Sequence, residues 1–248
     1  MTDHDDSNKI PQVSEKENAH HEILDRYPVN RGVQGELGNA IGMIASRIFL
    51  KLRAKGVENI PANPPYVISP NHVTYVDGMW VASYLPRKHF DVMCCMAAKE
   101  LEDSRGWLGR LIMKVGRGIA ADRFGNPVRA LILAKKQLDK GEILLLHPEG
   151  TRSPDGKVGE LKDGACYLAI KANCPLLPVY IYGGYEVFNR HMKFPKTFDW
   201  KNFKKKRVTL YFGKPFIPSD FKKATDMTAA LTAWMLDMQD KAGKGLLD

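Results

Sequence analysis

Apolar segments of two kinds alternate along most of the 248-residue chain. Short runs of β-favouring residues predict strands near Tyr66–Ser69, Val92–Ala97, Arg117–Ala121, Ile143–His147, Leu176–Tyr182 and Arg207–Phe212. Segments with helical spacing lie between them, near Gly78–Tyr84, Arg105–Lys114, Pro127–Lys140 and Gly164–Ala172. Strands that alternate with helices of this length predict an α/β fold, in which a mostly parallel central sheet is flanked by helices.

The segment from Gly35 to Leu52 has the pattern of an amphipathic helix. Its large apolar residues recur at spacings of three and four and form one stripe: Leu37, Ile41, Ile44, Ile48 and Leu52. Because Arg47 and Lys51 interrupt the run, it is shorter than the ~20 apolar residues that span a bilayer. Two arrangements, which do not exclude each other, stay open: a helix packed on the protein's own core, and a helix lying on a membrane surface.

The two ends of the chain differ in composition. Residues 1–24 are polar and acidic, and this composition predicts a disordered tail. Residues 25–55 are expected to form an N-terminal helical segment, for which membrane association is one reading, and residues 56–248 one α/β domain. Near the C-terminus, Thr228–Lys241 is predicted to be a helix that packs on the sheet through Leu231, Trp234, Met235 and Met238.

The charge is unevenly distributed and indicates an anionic partner. Residues 1–25 carry a net charge of −5, which leaves +14 on the rest of a chain whose total is +9. A basic body suits lipid headgroups, phosphorylated substrates, an acidic carrier protein or nucleic acid, although no nucleic-acid motif is present. The four cysteines show no metal-ligand spacing, and no signal peptide is visible, so a reducing, cytoplasmic setting is expected.

A histidine and an aspartate stand five residues apart where the pattern changes from strand to helix. Pro70 ends the strand, and Thr74 with Asp77 predicts a capping box that opens the helix. Positions five apart on a helix point about 140° away from each other, so His72 and Asp77 can meet only if His72 precedes the helix. The carboxylate would then fix the tautomer and leave the other ring nitrogen to accept a proton. Alternatively, Asp77 only caps the helix.

A second motif, His147-Pro148-Glu149-Gly150-Thr151-Arg152-Ser153, follows a predicted strand. Gly150 permits close approach by a ligand, Thr151 can donate to an anion, and Arg152 offers a bidentate fork for phosphate. Glu149 is expected to orient the arginines, and His147 is expected to be a packed residue rather than a second catalytic histidine.

Two more cations accompany this motif in the sequence. Arg123 follows the strand predicted at Arg117–Ala121, and Lys162 follows the second motif. A phosphate ligand is one reading of Arg123, and a surface salt bridge with Asp122 or Glu149 is the other.

Taken in order, these blocks resemble the glycerolipid acyltransferase family, in its PlsC-type lysophosphatidic acid acyltransferase group. The blocks similar to that family are Asn71-His72 with Asp77, Gly118 with Asp122-Arg123, Pro148-Glu149-Gly150-Thr151-Arg152-Ser153, and Pro175-Leu176-Leu177-Pro178-Val179. The resemblance spans roughly residues 56–216, which would make residues 56–248 an acyltransferase domain. Two departures are His147, where the family usually has an aromatic residue, and Ala120-Ala121 in place of bulkier residues.

The resemblance implies direct transfer of a fatty acyl group from acyl-CoA or acyl-carrier protein to lysophosphatidic acid, with no cofactor or metal. His72 is expected to be the general base and Asp77 its partner. The residues expected to bind substrate are Asn71, Arg123, Glu149, Gly150, Thr151, Arg152 and Lys162. The alternatives are the same chemistry on glycerol 3-phosphate, another lysophospholipid or a non-glycerol alcohol or amine, and a non-catalytic lipid- or acyl-carrier-binding module.

A basic tract with aromatic neighbours lies at residues 193–207, where seven lysines and arginines accompany Phe194, Phe198, Trp200 and Phe203. Such a tract is either a solvated edge or a membrane-docking surface, with rings at the headgroup level and lysines toward anionic lipid. We therefore expect a cytoplasmic protein that is peripheral on the inner face of the cell membrane.

Overall fold

A computed structural model describes residues 26–104, 106–122 and 127–247. The predicted acidic tail, residues 1–24, lies outside the described residues. The first described helix, α1, is Gly32–Phe49, and it leads directly into the sheet. The other helices of at least five residues are α2 Asp77–Ala82, α3 Arg87–Asp91, α4 Lys99–Ser104, α5 Gly106–Val115, α6 Pro127–Asp139, α7 Gly164–Lys171, α8 Gly184–Phe188 and α9 Ala224–Gly243.

A seven-stranded sheet forms the centre of the molecule. Its strands are β1 Lys51–Lys55, β2 Tyr66–Pro70, β3 Met93–Ala98, β4 Gly118–Ala121, β5 Ile143–Leu145, β6 Leu176–Tyr182 and β9 Arg207–Phe212. They lie side by side in the order β1-β9-β6-β2-β5-β3-β4, and every neighbouring pair is parallel except β6 with β9. Two further strands, β7 Phe198–Asp199 and β8 Lys204–Lys205, form a small antiparallel hairpin. The predicted mostly parallel α/β sheet is confirmed.

Successive residues of the central strands face two separate apolar layers. Ile68 and Leu145 pack in one layer with Trp80 of α2, whereas Val67 and Leu144 pack in the other, against α6, α7 and α9. Each of these strand residues is at most 1% exposed, because a parallel sheet is covered on both faces. The C-terminal helix packs as predicted, since Leu231, Met235 and Met238 are buried and Trp234 is partly buried.

The prediction of a helical segment through residue 55 is wrong over Lys51–Lys55. Helix α1 ends at Phe49, Leu50 has extended backbone angles, and Lys51–Lys55 then pairs with β9 as a parallel edge strand. Exposure in this strand alternates residue by residue, so Leu52 and Ala54 face the apolar layer while the lysines face solvent. Leu52 therefore does not belong to the helical stripe.

The packed face of α1 is the opposite of the one that large apolar residues would suggest. Leu37, Ile41, Ile44 and Ile48 are each more than half exposed. The packed face consists of small residues at Gly35, Gly38, Gly42 and Ser46. A Cβ atom would lie 2.9 Å from the Lys114 carbonyl oxygen at Gly35, 3.0 Å from Leu111 at Gly38 and 2.5 Å from the Met79 sulfur at Gly42. The helix thus packs on the protein, against α5 and α2, but it does so through its glycines and not through the apolar stripe.

Polar contacts fix both ends of α1 to the sheet domain. Before the helix, the buried guanidinium of Arg31 donates to the carbonyl oxygens of Val115, Phe90 and Met93 at 3.1, 3.0 and 3.3 Å. Near its end, the Ser46 hydroxyl oxygen accepts a 3.1 Å hydrogen bond from the Trp80 indole. These bonds satisfy buried donors that would otherwise cost about 1–3 kcal/mol each.

Candidate active site

The carboxyl ends of β2 and β5 bring the two sequence motifs together. These strands are hydrogen-bonded neighbours, with Ile68 opposite Leu145, so the residues that follow each strand emerge side by side. His72 comes two residues after β2, and His147 comes two residues after β5. In open α/β sheets, ligands bind at this edge, where strand ends meet loops and helix starts.

His72 and Asp77 form the predicted pair, because His72 lies in the turn before α2. Its Nδ1 is 2.9 Å from Asp77 Oδ2, and Asp77 is fully buried. Since a carboxylate oxygen accepts, we assign the Nδ1–H tautomer, in which Nε2 is the basic atom. Burial raises the pKa of Asp77, whereas its hydrogen bonds from Thr74 and Val73 act in the opposite direction.

The predicted capping box forms only in part: the Asp77 carboxylate does accept from the Thr74 N–H, but Thr74 is not the N-cap residue. Helix α2 begins at Asp77 itself, and Val76 occupies the N-cap position without a side-chain cap. The Asp77 carboxylate instead accepts from the backbone N–H groups of Val73 and Thr74, both at 2.8 Å, and from the Thr74 hydroxyl at 2.7 Å. The carboxylate organises the turn that precedes the helix, so the same contacts that fold this turn also hold the histidine.

Glu149 binds the backbone of the histidine turn. Its Oε1 accepts from the His72 N–H at 2.7 Å, and its Oε2 accepts from the Gly159 N–H at 3.0 Å. Ser153 N–H donates to the His72 carbonyl oxygen at 2.7 Å. Burial raises the pKa of Glu149, and these backbone donors oppose the shift. The structure thus shows Glu149 joining the two motifs through backbone donors, a different role from the predicted orientation of arginines or binding of substrate.

Asn71 occupies a structural position rather than the predicted substrate-binding one. It is 3% exposed, and its side-chain amide bonds the backbone of Ile181 in both directions, at 2.6 and 3.3 Å. These bonds extend the pairing between β2 and β6 beyond the last ladder residue. Asn71 therefore anchors the start of the histidine turn to the neighbouring strand.

Tyr75 is a site residue to which the sequence analysis assigned no role. Its hydroxyl accepts a 2.6 Å hydrogen bond from Arg152, whose guanidinium carbon also lies 3.4 Å from the tyrosine ring centroid. The only available signal was its place between His72 and Asp77. This contact places the cationic head of Arg152 beside the histidine turn.

The remaining predicted ligands lie around the same opening. Gly150, Thr151, Arg152 and Lys162 all line the cavity described below. Gly150 has φ +68°, a left-handed conformation that favours glycine, and a Cβ there would meet Lys162 Nζ at 3.3 Å. Arg123 lies outside the described residues.

His147 stacks against the His72 ring. The ring centroids are 3.8 Å apart, the planes differ by 14°, and His147 Nδ1 lies 3.2 Å from the Pro70 carbonyl oxygen. Burial, followed by the neighbouring His72 ring, lowers the pKa of His147 to about 3, so the imidazole is neutral near pH 7. The prediction of a packed residue agrees with this contact.

His72, Asp77 and His147 also offer potential metal ligands within 4.8 Å of one another. Joint coordination of one ion requires the two ring lone pairs to converge. In nearly parallel rings the lone pairs run side by side, and the Asp77 oxygen nearest His72 already accepts three hydrogen bonds. The arrangement suits stacking better than metal binding.

A cavity of about 820 Å³ adjoins His72 and has two kinds of lining. Apolar lining comes from helices and strands and includes Gly42, Met79, Met96, Ile112 and Leu145. Polar lining comes from the loop after β5, with the cations named above, and also from Glu100, Asp122 and Arg190. The volume is typical of a small-molecule site, and the mixture suits a molecule with an apolar chain and an anionic group.

Exposed aromatic and apolar side chains mark two surfaces outside the cavity. Phe194, Trp200 and Phe203 are each 79% exposed, and Phe198, Trp200 and Phe203 contact one another edge-on around the β7–β8 hairpin. Trp107 of α5 is 70% exposed, on a helix that packs against α1. Within the described ranges, none of the helices has both the length and the apolar character to traverse a bilayer.

Together, the parallel sheet, the histidine–aspartate pair at its carboxyl edge and the adjoining cavity define an α/β protein with a buried carboxylate–histidine pair beside a cavity of mixed apolar and charged lining. The family model described as Acyltransferase matches residues 51–182, which is more than half of the chain. The chain belongs to this acyltransferase family, as its motifs predicted.

Individual relatives agree with this assignment. The chain is 32% identical over 136 residues to a 1-acyl-sn-glycerol-3-phosphate acyltransferase of Pseudomonas aeruginosa, covering 52% of this chain and 49% of that one. It is 27% identical over 199 residues to a probable enzyme of the same name from Mycoplasma pneumoniae, covering 75% and 72%. The chain thus spans about half the length of the Pseudomonas relative.

A solved structure supports the fold. The crystal structure of the 1-acyl-sn-glycerophosphate acyltransferase PlsC from Thermotoga maritima superposes with a TM-score of 0.64 and 22% identity, covering 92% of this chain and 84% of that one. At this identity the likeness establishes the shared fold and no more.

Proposed function

We propose that this protein transfers a fatty acyl group from an acyl thioester to the hydroxyl of lysophosphatidic acid, giving phosphatidic acid. The single observation that carries the proposal is the His72–Asp77 pair at an opening lined by both cations and apolar side chains. The names of the Pseudomonas and Mycoplasma relatives point to the same acceptor.

In the proposed reaction, Nε2 of His72 removes the proton of the acceptor hydroxyl while the oxygen attacks the thioester carbonyl. Asp77 holds the ring through Nδ1 and stabilises the imidazolium that forms. The C–S bond then breaks, and the imidazolium returns the proton to the leaving thiolate. This sequence uses an acyl-CoA or acyl-carrier protein as co-substrate and requires neither a cofactor nor a covalent acyl-enzyme.

The cavity lining supports a division of the substrates by polarity. Arg152, Lys162, Thr151 and the backbone at Gly150 would hold the acceptor phosphate, because charge-assisted hydrogen bonds favour an anion there. The apolar lining from α1, α2, β3 and α5 would take the fatty acyl chain. Either donor fits, since coenzyme A and acyl-carrier protein are both anionic partners for a basic chain.

The test is an acyl-transfer assay with purified protein, lysophosphatidic acid and each donor in turn. His72→Ala should lower turnover by about 10²–10⁴-fold, the usual contribution of a general base. This loss equals roughly 3–5.5 kcal/mol in the barrier. His191→Ala, which removes an exposed histidine, is the matched control and should leave turnover unchanged.

Two outcomes would contradict the proposal. Near-normal turnover by folded His72→Ala protein would show that His72 is not the base. Absence of product with both donors would exclude lysophosphatidic acid as acceptor, and the assay would then be repeated with glycerol 3-phosphate and other lysophospholipids.

The proposal includes peripheral binding to the inner face of the cell membrane, where both the donor and the acceptor are accessible. The exposed stripe of α1 and the aromatic hairpin support it, because apolar side chains gain free energy on leaving water and lysines attract anionic headgroups. Exposed lysines, among them Lys204 and Lys205, accompany the rings of the hairpin.

Flotation with vesicles of phosphatidylglycerol and phosphatidylcholine tests the membrane part separately. Ile41→Ser with Ile44→Ser, and independently Lys204→Glu with Lys205→Glu, should each weaken binding by about tenfold or more. Lys135→Glu on α6 is a charge-reversal control. Native-like binding by both double variants would remove these surfaces from the proposal.

A further inference from the structure

His147 contacts His72 in a way that the proposed reaction does not use. The two rings overlap nearly in parallel, with centroids 3.8 Å apart. Because a carbonyl oxygen only accepts, the contact at 3.2 Å assigns Nδ1–H of His147 as a donor to Pro70. Pro70, at the end of β2, thereby orients the His147 ring. The His147 ring in turn packs on the His72 ring.

The hydrogen bond to Asp77 does not by itself fix the plane of the His72 ring. It holds a single ring atom, Nδ1, at 2.9 Å from the carboxylate. The ring is also joined to the backbone through Cβ, so coupled changes of χ1 and χ2 can tilt its plane while the hydrogen bond is kept, and such a tilt would carry Nε2 away from its productive direction. A flat neighbour in van der Waals contact opposes the tilt, because tilting either ring would lose the stacked contact.

We propose that His147 is a positioning residue for acyl transfer, whose imidazole fixes the ring plane of His72 while Asp77 fixes its tautomer. This inference rests on the proposed function. Pre-orientation of a catalytic group is worth large factors in rate, and small misplacements lose them. His147 does not touch the reacting atoms, so its effect should appear in the turnover step.

The charge state of His147 suits this role. Its pKa of about 3 keeps the ring neutral, so it does not repel the imidazolium that forms on His72. The ionisable groups nearest the stacked pair are the buried carboxyls of Asp77 and Glu149, and the cations of Arg152 and Lys162 line the adjoining cavity. A benzene ring in the place of His147 would attract the imidazolium more strongly through its π face.

Three variants separate orientation from simple packing. His147→Ala removes the stacked ring and should lower kcat by about 10- to 100-fold, with KM changed less than about twofold. His147→Phe keeps a flat ring and should recover most of kcat, but the acid limb of its pH–rate profile should move to higher pH. Tyr167→Ala, which removes a half-exposed ring on α7, is the control and should change neither parameter.

Kinetics can also overturn the inference. If His147→Ala keeps kcat within about twofold of the native value, His147 does not position His72. If His147→Phe and His147→Ala lose kcat equally and both lower Tm, the residue serves packing alone.

A spectroscopic measurement distinguishes failure of this inference from failure of the proposed function. Nitrogen-15 spectra of the histidine rings, recorded without substrate and assigned with His72→Gln, should show one Nδ1–H tautomer for His72 in the native protein. In His147→Ala the His72 signals should keep the Nδ1–H tautomer that Asp77 sets but should broaden, because the ring plane is no longer held. An unchanged His72 spectrum in that variant would overturn the positioning role even if acyl transfer is observed.

Discussion

The central sheet and helix α1 show two opposite relations between apolar residues and burial. In the sheet, Val67, Ile68, Leu144 and Leu145 are at most 1% exposed, as their apolar runs predicted. In α1, the large apolar residues of the stripe are more than half exposed, and glycines form the packed face. Both segments are apolar and periodic, yet only the sheet buries its large side chains.

The difference has a physical cause. A strand of a parallel sheet is covered on both faces, so every large apolar side chain in it removes surface from water. A single helix laid on a surface has one contact face, and a close approach places small residues on that face. Periodicity identifies an amphipathic helix in either case, but it does not show which side contacts the protein.

Truncation of one leucine in each region is expected to give the largest difference in the free energy of unfolding. Leu144→Ala should lower the free energy of unfolding by about 2–5 kcal/mol, because it leaves a cavity between β5 and the helices that cover it. Leu37→Ala should change it by less than about 0.5 kcal/mol, since that side chain is 58% exposed. Urea unfolding measures both, and equal losses would contradict the exposed orientation of the stripe.

The pH dependence of the free energy of unfolding probes a contact of the sheet, because Tyr66 of β2 lies against His89 whereas α1 contains no histidine. The His89 imidazole lies 3.0 Å from the Tyr66 hydroxyl, and burial lowers its pKa below the ordinary value of 6.5. Below about pH 6.5 the unfolded chain therefore binds a proton at His89 more readily than the folded protein does. The contribution of His89 to the free energy of unfolding is fully present above about pH 6.5 and is lost as the pH falls. One titrating group changes the free energy of unfolding by at most about 1.4 kcal/mol per pH unit.

His89→Gln isolates this effect from other titrating groups. The difference in unfolding free energy between the native protein and the variant should shrink as the pH falls from 7 to 5. A difference that stays constant over this range would show that the folded state does not disfavour protonation of His89.

The smallest effect is expected from two matched glycine substitutions. Helical glycine-to-alanine changes normally stabilise by up to about 1 kcal/mol. Gly243→Ala should follow that rule, because no atom lies within 4 Å of the new methyl group. Gly35→Ala should instead destabilise by about 1 kcal/mol, because its methyl group would meet the Lys114 carbonyl oxygen. Thermal unfolding gives the sign, and stabilisation by both would contradict close packing of α1.

Much of the geometry of the candidate site was predictable, but some contacts were not. The five-residue spacing and the strand-to-helix change predicted that His72 and Asp77 meet in a turn, and they do. The roles of Glu149 and Tyr75 were missed, since a carboxylate next to an arginine in sequence shows nothing about which backbone donors surround it in the fold. The family resemblance assigned Asn71 to substrate binding, and its contact with Ile181 could not be predicted because it joins residues 110 positions apart.

By itself, the sequence determined six of the seven strands of the central sheet, the order of the motifs and the family, because apolar period and local turn chemistry are properties of neighbouring residues. Only the tertiary structure decided which face of α1 is packed, that Lys51–Lys55 is a strand, and that His147 stacks on His72. Each of these depends on segments that are distant in sequence. Their contacts follow from the order of strands in the sheet, which local patterns do not specify.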